Sequence, residues 1–152
     1  MFYPLEIKPL IGLSDMLFDS SMAEVEKKIG KATEVQLIDD IIEFKTTVWH
    51  YWEEEFALFF PEQNNQMFNS VEINNITTLL WGHRIFDFKN KKIIALFKSK
   101  GFMNFETEQH DWGENRLSFD EACIDFYFVK DKLITINYSK PILFSQVLII
   151  QN

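Results

Sequence analysis

The sequence predicts an α+β fold, with two tandem helix-plus-antiparallel-sheet repeats forming one domain. Two segments with helical periodicity end at a glycine, Gly30 in the first unit and Gly101 in the second, and strand-like runs follow each glycine. An earlier glycine precedes each helix at a similar distance, since Gly12 lies 18 residues before Gly30 and Gly82 lies 19 residues before Gly101. The same features in the same order favour an internal duplication.

The first helix is predicted to begin after Ser21. Ser21 and Glu24 have the spacing of a capping box, in which each side chain accepts a hydrogen bond from the other residue's backbone N–H. Met22, Val25 and Ile29 follow at helical spacing and form one apolar face. Four strands are predicted after this helix, at residues 34–38, 41–48 continuing to 52, 56–60 and 68–74.

The second helix is predicted to begin with Asp87 as its cap and to run to about Lys100. Ile93, Ile94 and Phe97 supply its buried stripe. Four strands are again predicted after the helix, at residues 102–110, 116–119, 123–128 and 133–138.

The last two predicted strands of each unit align with one another. Residues 55–60 match residues 123–128, and residues 71–74 match residues 134–137. The first of these runs is almost wholly apolar, which predicts a central strand covered on both faces. Asp125 interrupts its counterpart and is predicted to face solvent or a pocket.

The length of 152 residues and the hydrophobic content of 47% suffice for one buried core. No long linker separates the two units, so they are expected to share it. The predicted organisation is a single domain over residues 1–152, with internal repeats at about 7–76 and 78–139 and a C-terminal strand or arm at 140–152.

The formal net charge of −8 argues against binding to a nucleic-acid duplex, because phosphate contacts need clustered lysine and arginine. The charge is uneven, since five lysines lie between Lys89 and Lys100 and the rest of the chain, with 10 basic and 23 acidic residues, carries −13. A field of that size attracts a basic protein partner. The lysines are expected to form the ordinary solvated face of the second helix.

Motifs of catalytic or metal-binding proteins are missing from the sequence. The three histidines, His50, His83 and His110, lack the spacing of a metal motif, and Cys123 has no basic neighbour that would lower its pKa. Histidines in strands or turns and a packed cysteine are the simpler interpretations; a metal site from distant residues and a cysteine nucleophile are the alternatives. We therefore predict no enzyme activity, no cofactor and no metal.

The single cysteine fits a reducing compartment. The first nine residues lack the basic start and apolar stretch of a signal peptide, and no segment has the roughly 20 apolar residues that span a bilayer. The predicted location is the cytoplasm, without membrane contact.

The stretch from Met22 to Ala32 resembles a helix motif of the beta-lactamase inhibitory protein family and of the related SmpA/OmlA lipoprotein domains. That motif has the form Met-Thr-x-x-x-Val-x-x-x-Leu-Gly-x-Pro; here Met22, Val25, Ile29 and Gly30 stand at or near the corresponding places, and Ala32 replaces the proline. The resemblance implies a tandem repeat of helix-plus-sheet units. The lipid-attachment cysteine of the lipoproteins is missing, which counts against an outer-membrane role.

The small, acidic and aromatic-rich chain is also similar to bacterial immunity proteins, which implies that it binds and blocks a toxin domain, such as a basic nuclease. The alternatives are an adaptor or inhibitor with another protein partner, and a small-ligand-binding protein with a pocket near Asp125 and His110. The oligomeric state stays open. The residues predicted to bind the partner are acids in turns and strands and three tryptophans that can anchor an interface: Asp39, Asp40, Trp49, Trp52, Glu53, Glu54, Glu55, Glu106, Glu108, Asp111 and Trp112.

Overall fold

The computed structural model describes residues 4–39 and 44–141. Within these residues the chain forms two α-helices, α1 at Met22–Ile29 and α2 at Asn90–Ser99. Its strands are β1 Glu6–Lys8, β2 Gly12–Leu13, β3 Met16–Leu17, β4 Glu34–Asp39, β5 Lys45–Tyr51, β6 Phe56–Pro61, β7 Ser70–Ile73, β8 Leu79–Leu80, β9 His83–Arg84, β10 Glu106–Gln109, β11 Glu114–Phe119, β12 Ile124–Val129 and β13 Lys132–Ser139.

The larger sheet has eight strands in the order β10-β11-β12-β13-β7-β6-β5-β4, and every neighbouring pair is antiparallel. Strands β4 to β7 follow α1 as a meander, and strands β10 to β13 follow α2 in the same way. The two meanders meet where β13 pairs with β7, with Ile136 opposite Ile73. The edges of the sheet are therefore β4 and β10, the first strand of each meander.

The smaller sheet has five short strands in the order β3-β2-β1-β8-β9. Its central pair, β1 and β8, is parallel and places Ile7 opposite Leu80. Because the two strands come from opposite halves of the chain, this pair is a second connection between the halves.

The core lies between the small sheet, the two helices and one face of the large sheet, which we call the inner face. Side chains of alternate residues fill that face, as the period of a strand requires. Val25 of α1, Phe97 of α2 and Leu13 of the small sheet belong to the same buried cluster as the inner face. The ring centroids of Phe97 and Phe119 lie 4.2 Å apart. The buried residues of the inner face are Tyr51, Phe56, Leu58, Phe60, Val71, Ile73, Leu117, Phe119, Ile124, Phe126, Phe128, Leu133, Ile136 and Tyr138.

The predicted α+β class, with two helix-plus-antiparallel-sheet repeats, is wrong, because the fold is mostly β. Of the described residues, 43% lie in strands and 20% in α-helices and 3-10 turns together. The two α-helices have 8 and 10 residues. The small sheet is formed by segments before the two helices. The sequence predicted no strands in these segments. The small sheet's strands of two or three residues are too short for alternation to be visible in the sequence.

The eight predicted strands are present with somewhat different ends, and the start predicted at residues 41–43 lies outside the described residues. The predicted C-terminal strand or arm also lies outside them beyond Pro141. The proposed repeat boundaries stay a prediction.

The capping box of α1 is confirmed. The Glu24 backbone N–H donates to the Ser21 hydroxyl at 3.1 Å, and the Ser21 N–H donates to the Glu24 carboxylate at 2.9 Å. The cap predicted for α2 is wrong, because Asp87 lies in a 3-10 turn and pairs with Arg84 at 3.4 Å. Lys89 takes the cap position of α2 without a side-chain hydrogen bond.

Neither helix in residues 4–39 and 44–141 is long and apolar enough to cross a membrane.

Candidate functional site

The face of the large sheet opposite the core, the outer face, is polar where β7 and β10 to β13 form it. Both helices and the small sheet pack on the inner side, so the intervening side chains of these strands point away from all of them. Five carboxylates and two cations, Arg116 and Lys132, lie at these positions. We call this surface the acidic face and define it by Glu72, Glu106, Glu108, Glu114, Asp125, Arg116, Ser118, Tyr127 and Asn137.

The centre of the acidic face is a row across three strands. Asp125 of β12 and Glu72 of β7 both pair with Asn137 of β13, so the two carboxylates lie on either side of one amide. The Asn137 Oδ1 is buried and accepts no hydrogen bond from the described residues. A buried acceptor without a donor costs about 1–3 kcal/mol. The row therefore contains an unsatisfied acceptor between two acids.

Tyr127, next to this row, forms a hydrogen bond with the side chain of Asn137. Burial raises the pKa of the Tyr127 hydroxyl and the charge of Asp125 raises it further, while a hydrogen bond with the Asn137 side chain opposes both effects. Tyr127 thus engages the Asn137 side chain and leaves its Oδ1 unpaired.

Arg116 connects the row to the edge of the sheet. Its guanidinium donates to Glu108 at 2.8 Å and to the Ser118 hydroxyl at 2.6 Å, and the Ser118 hydroxyl donates to Asp125. Hydrogen bonding and charge from Arg116 hold the pKa of the Glu108 carboxyl below its usual value. The hydrogen bond that Arg116 donates to Glu108 is likewise the main cause of a raised Arg116 pKa. Arg116 is therefore engaged mainly with Glu108, and its Nη1 lies 3.7 Å from Asp125.

The Glu72 side chain, by contrast, makes no hydrogen bond or ion pair with any described residue. A concavity of about 280 Å³ opens at this point and is lined by Phe59, Ser70, Val71, Glu72, Cys123, Asp125, Asn137, Tyr138 and Ser139. The concavity spans the junction between the two meanders.

Two histidine–tryptophan pairs, each with nearly parallel stacked rings, lie towards the margins of the large sheet. His110 and Trp112 have ring centroids 4.3 Å apart, and His50 and Trp52 have the same separation. The His110 Nε2 lies 3.0 Å from Glu108, which places the first stack beside the acidic face. Trp112 is 71% exposed and Trp52 is 55% exposed, so each offers an aromatic surface to a partner.

The structure separates the residues that the sequence predicts as a binding surface. Glu106, Glu108, Asp111 and Trp112 lie together on β10 and the turn after it. The other predicted residues that the structure describes belong to the β4–β5–β6 side, at the opposite end of an eight-stranded sheet. Seven strand spacings correspond to about 30 Å.

The remaining predicted residues do not form one group. Asp39 ends β4 opposite Lys45, whereas Glu53, Glu54 and Glu55 lie at the other end of β5, in its turn to β6 beside Trp52. Trp49 points to the inner face, where its ring centroid is 4.7 Å from that of Phe60, so it packs with the core. Asp40 lies outside the described residues.

The sequence did not indicate Glu72 and Asn137 as site residues, whereas Asp125, predicted to face solvent or a pocket, lines the concavity. All three occupy half-buried positions that alternate with buried apolar residues along their strands. That alternation was the available signal, but strand order was needed to bring the three together.

Residues suited to metal binding are not grouped in the described part of the chain. Among residues 4–39 and 44–141, no three His, Cys, Asp or Glu side chains are placed to hold a metal ion. His50 contacts Gln36 at 2.8 Å, and His110 contacts Glu108. A larger concavity, of about 420 Å³, lies at the start of α2 between Lys89, Lys91, Asp131 and the inner side of β10 and β11.

Comparisons with models of protein families, with curated proteins and with solved structures found no match. The resemblance to the beta-lactamase inhibitory and SmpA/OmlA proteins therefore stays a prediction.

Proposed function

We propose that this chain is an immunity protein that binds a basic toxin domain in the cytoplasm and blocks it without catalysis. The observation that supports this proposal is the concentration of five carboxylates on one face of the large sheet, beside an exposed tryptophan. A sheet face is a rigid platform, so its charges are held in place before a partner arrives.

The charge of the acidic face suits a basic partner. Arg116 is engaged with Glu108, which leaves Glu72 and Glu106 without an ion pair among the described residues. Unpaired acids on one surface speed the encounter with a basic protein and raise the cost of binding an acidic one. A nuclease is a suitable target, because a protein that binds phosphates has clustered lysine and arginine at its active site.

Trp112 supplies the apolar part of the proposed interface. Its ring is stacked on His110 and is therefore already oriented, so little side-chain entropy is lost when a partner covers it. Tryptophan is enriched among the residues that dominate interface energy. Glu106, Glu108, Asp111 and Trp112 are the residues we assign to this end of the contact.

The test is capture of the partner by the tagged chain from its native cells at low salt, with the retained proteins identified by mass spectrometry. A single basic protein retained by the wild type and by Glu26→Lys, and lost with Glu106→Lys, supports the proposal. Glu26 is a matched control because it is an exposed acid on α1, on the side of the sheet away from the acidic face. Equal loss with both variants, or capture of no basic protein, contradicts it.

A further inference from the structure

We propose that the concavity at the centre of the acidic face is a pocket for an arginine side chain of the protein partner. This inference rests on the proposed function and names the group that the surface recognises. It starts from the row of Asp125, Asn137 and Glu72, which offers hydrogen-bond acceptors on three neighbouring strands.

The row has more hydrogen-bond acceptors than the neighbouring side chains have donors to offer them. Asp125 receives one hydrogen bond, from Ser118, Glu72 receives none from the described residues, and the Asn137 Oδ1 is buried without a donor. A ligand that brings several donors and a positive charge would satisfy all three side chains together. The chemistry of the pocket is thus that of a cation receptor.

The geometry favours a guanidinium over an ammonium group. Asp125 and Glu72 are two strand spacings apart, which is about 10 Å between their backbones. A planar guanidinium has five donors arranged as a fork and can reach two carboxylates and an amide oxygen at once. A lysine ammonium is a compact charge with three donors and bridges such a separation less well.

Glu72 lines the concavity together with Asp125 and Asn137. Its side chain has no hydrogen bond or ion pair with a described residue, so the carboxylate can turn onto an incoming guanidinium. The volume of about 280 Å³ accommodates the end of one side chain.

Arg116 does not fill this place itself. Its guanidinium is held by Glu108 at 2.8 Å and by the Ser118 hydroxyl at 2.6 Å, on the far side of Asp125 from Glu72. It supports the pocket indirectly, because Ser118 fixes one oxygen of Asp125 and leaves the other for the ligand.

The experiment is an NMR titration of the ¹⁵N-labelled full chain with the capped peptide Gly-Arg-Gly. Its controls are the same peptide with citrulline, which has the shape of arginine without the charge, and with lysine. We expect millimolar binding that shifts the backbone signals of Glu72 and Asp125 and the side-chain amide of Asn137. The citrulline peptide should bind at least about tenfold more weakly, as expected when a charge-assisted hydrogen bond becomes neutral.

Protein variants localise the site in the same titration. The double variant Glu72→Gln with Asp125→Asn should bind the arginine peptide at least about tenfold more weakly than the wild type. The matched variant Glu26→Gln on α1 should bind it with wild-type affinity. The dispersed amide spectrum shows whether each variant is folded. Shifts spread evenly over the acidic surface, or equal affinity in the double variant, overturn the arginine pocket.

The titration needs no toxin, so its result is separate from that of the capture experiment. If capture depends on Glu106 but the peptide does not bind the concavity, the arginine pocket is wrong and the immunity function stands. If the peptide binds there but no basic protein is captured, the immunity function is wrong and the pocket stands.

Discussion

The Tyr138 hydroxyl donates a hydrogen bond of 2.9 Å to the Gly12 carbonyl oxygen, across 126 positions of the chain. Tyr138 lies on β13 at the centre of the large sheet, and Gly12 opens β2 of the small sheet. The tyrosine side chain is buried within the core cluster. This bond therefore reports directly on how the small sheet docks against the inner face.

Replacement Tyr138→Phe is expected to lower the free energy of unfolding by about 1–3 kcal/mol. The loss includes the net value of the hydrogen bond and the cost of leaving a buried carbonyl oxygen without a donor. Urea unfolding followed by circular dichroism measures the change. A variant with wild-type stability would show that this bond does not stabilise the docking of the two sheets.

The same hydroxyl predicts a loss of stability in alkali. Burial raises the pKa of Tyr138 well above its usual value of 10. The folded state therefore keeps the proton to higher pH than the unfolded chain, so stability is full below about pH 10 and falls as the pH rises above it. The gap in unfolding free energy between wild type and Tyr138→Phe should shrink from pH 9 towards pH 11. A gap that stays constant across this range contradicts the assignment.

The parts of the fold that were predictable from sequence are those set by local pattern. The capping box of Ser21 and Glu24 lies within one helical turn, and the apolar stripe of Ile93 and Phe97 has helical spacing, so neither depends on the rest of the chain. The Asp87 cap failed because Arg84 pairs with that carboxylate and a 3-10 turn ends there.

The parts that failed are set by contacts between distant segments. The parallel pair of β1 and β8 joins strands of three and two residues that lie more than 70 positions apart. Strands this short have no sequence periodicity that would predict the pairing. The row of Asp125, Asn137 and Glu72 likewise exists only through the β13–β7 pairing. Acids that are close in sequence, such as Asp39 and Glu53, were grouped together although the strands separate them.

Gly12 is predicted to be intolerant of a side chain, because a Cβ atom at this position would lie 2.0 Å from the Met16 carbonyl oxygen. Since the obstacle is backbone, Gly12→Ala should destabilise the protein by about 3 kcal/mol or more. Gly113 has φ 91°, and no heavy atom lies within 4 Å of the place that a Cβ atom would take there. Gly113→Ala should thus cost only about 1 kcal/mol for the left-handed backbone. Thermal or urea unfolding compares the two, and equal losses would rule out the close approach at Gly12.

Asp19 is predicted to stabilise the fold above about pH 4. Its carboxylate accepts hydrogen bonds of 3.0 Å from Lys140 and from Asn64. Burial raises the pKa of Asp19, but these two hydrogen bonds and the charge of Lys140 outweigh it and leave the pKa below its usual value. A lowered pKa means that the contribution is present above the unfolded value and is lost as the pH falls through the folded one.

Asp19→Asn should therefore lose less than about 1 kcal/mol at pH 7, because the half-exposed pair is screened by solvent. The difference from the wild type should shrink as the pH falls below about 4. Urea unfolding at pH 7, 5 and 3 measures it. A difference that grows in acid would have the wrong sign for this network.

Trp49 and Trp112 are predicted to behave in opposite ways, although both were candidates for partner binding. Trp49 packs against Phe60 and the core cluster, so Trp49→Ala should lower the unfolding free energy by about 2–4 kcal/mol. Trp112 is 71% exposed and is stacked on His110, so Trp112→Ala should change stability by less than about 0.5 kcal/mol. Urea unfolding followed by circular dichroism separates the two effects.

Partner binding should be affected in the reverse order, strongly by Trp112→Ala and not by Trp49→Ala. If Trp112 anchors the proposed interface, Trp112→Ala should weaken capture of the basic partner by about tenfold or more while the protein remains folded. Trp49→Ala, studied at a temperature where it is still folded, should bind as the wild type does, because its ring lies on the inner face away from Glu72 and Asp125. A partner that is lost with Trp49→Ala and retained with Trp112→Ala would place the interface on the helix side of the sheet and remove the acidic face from the contact.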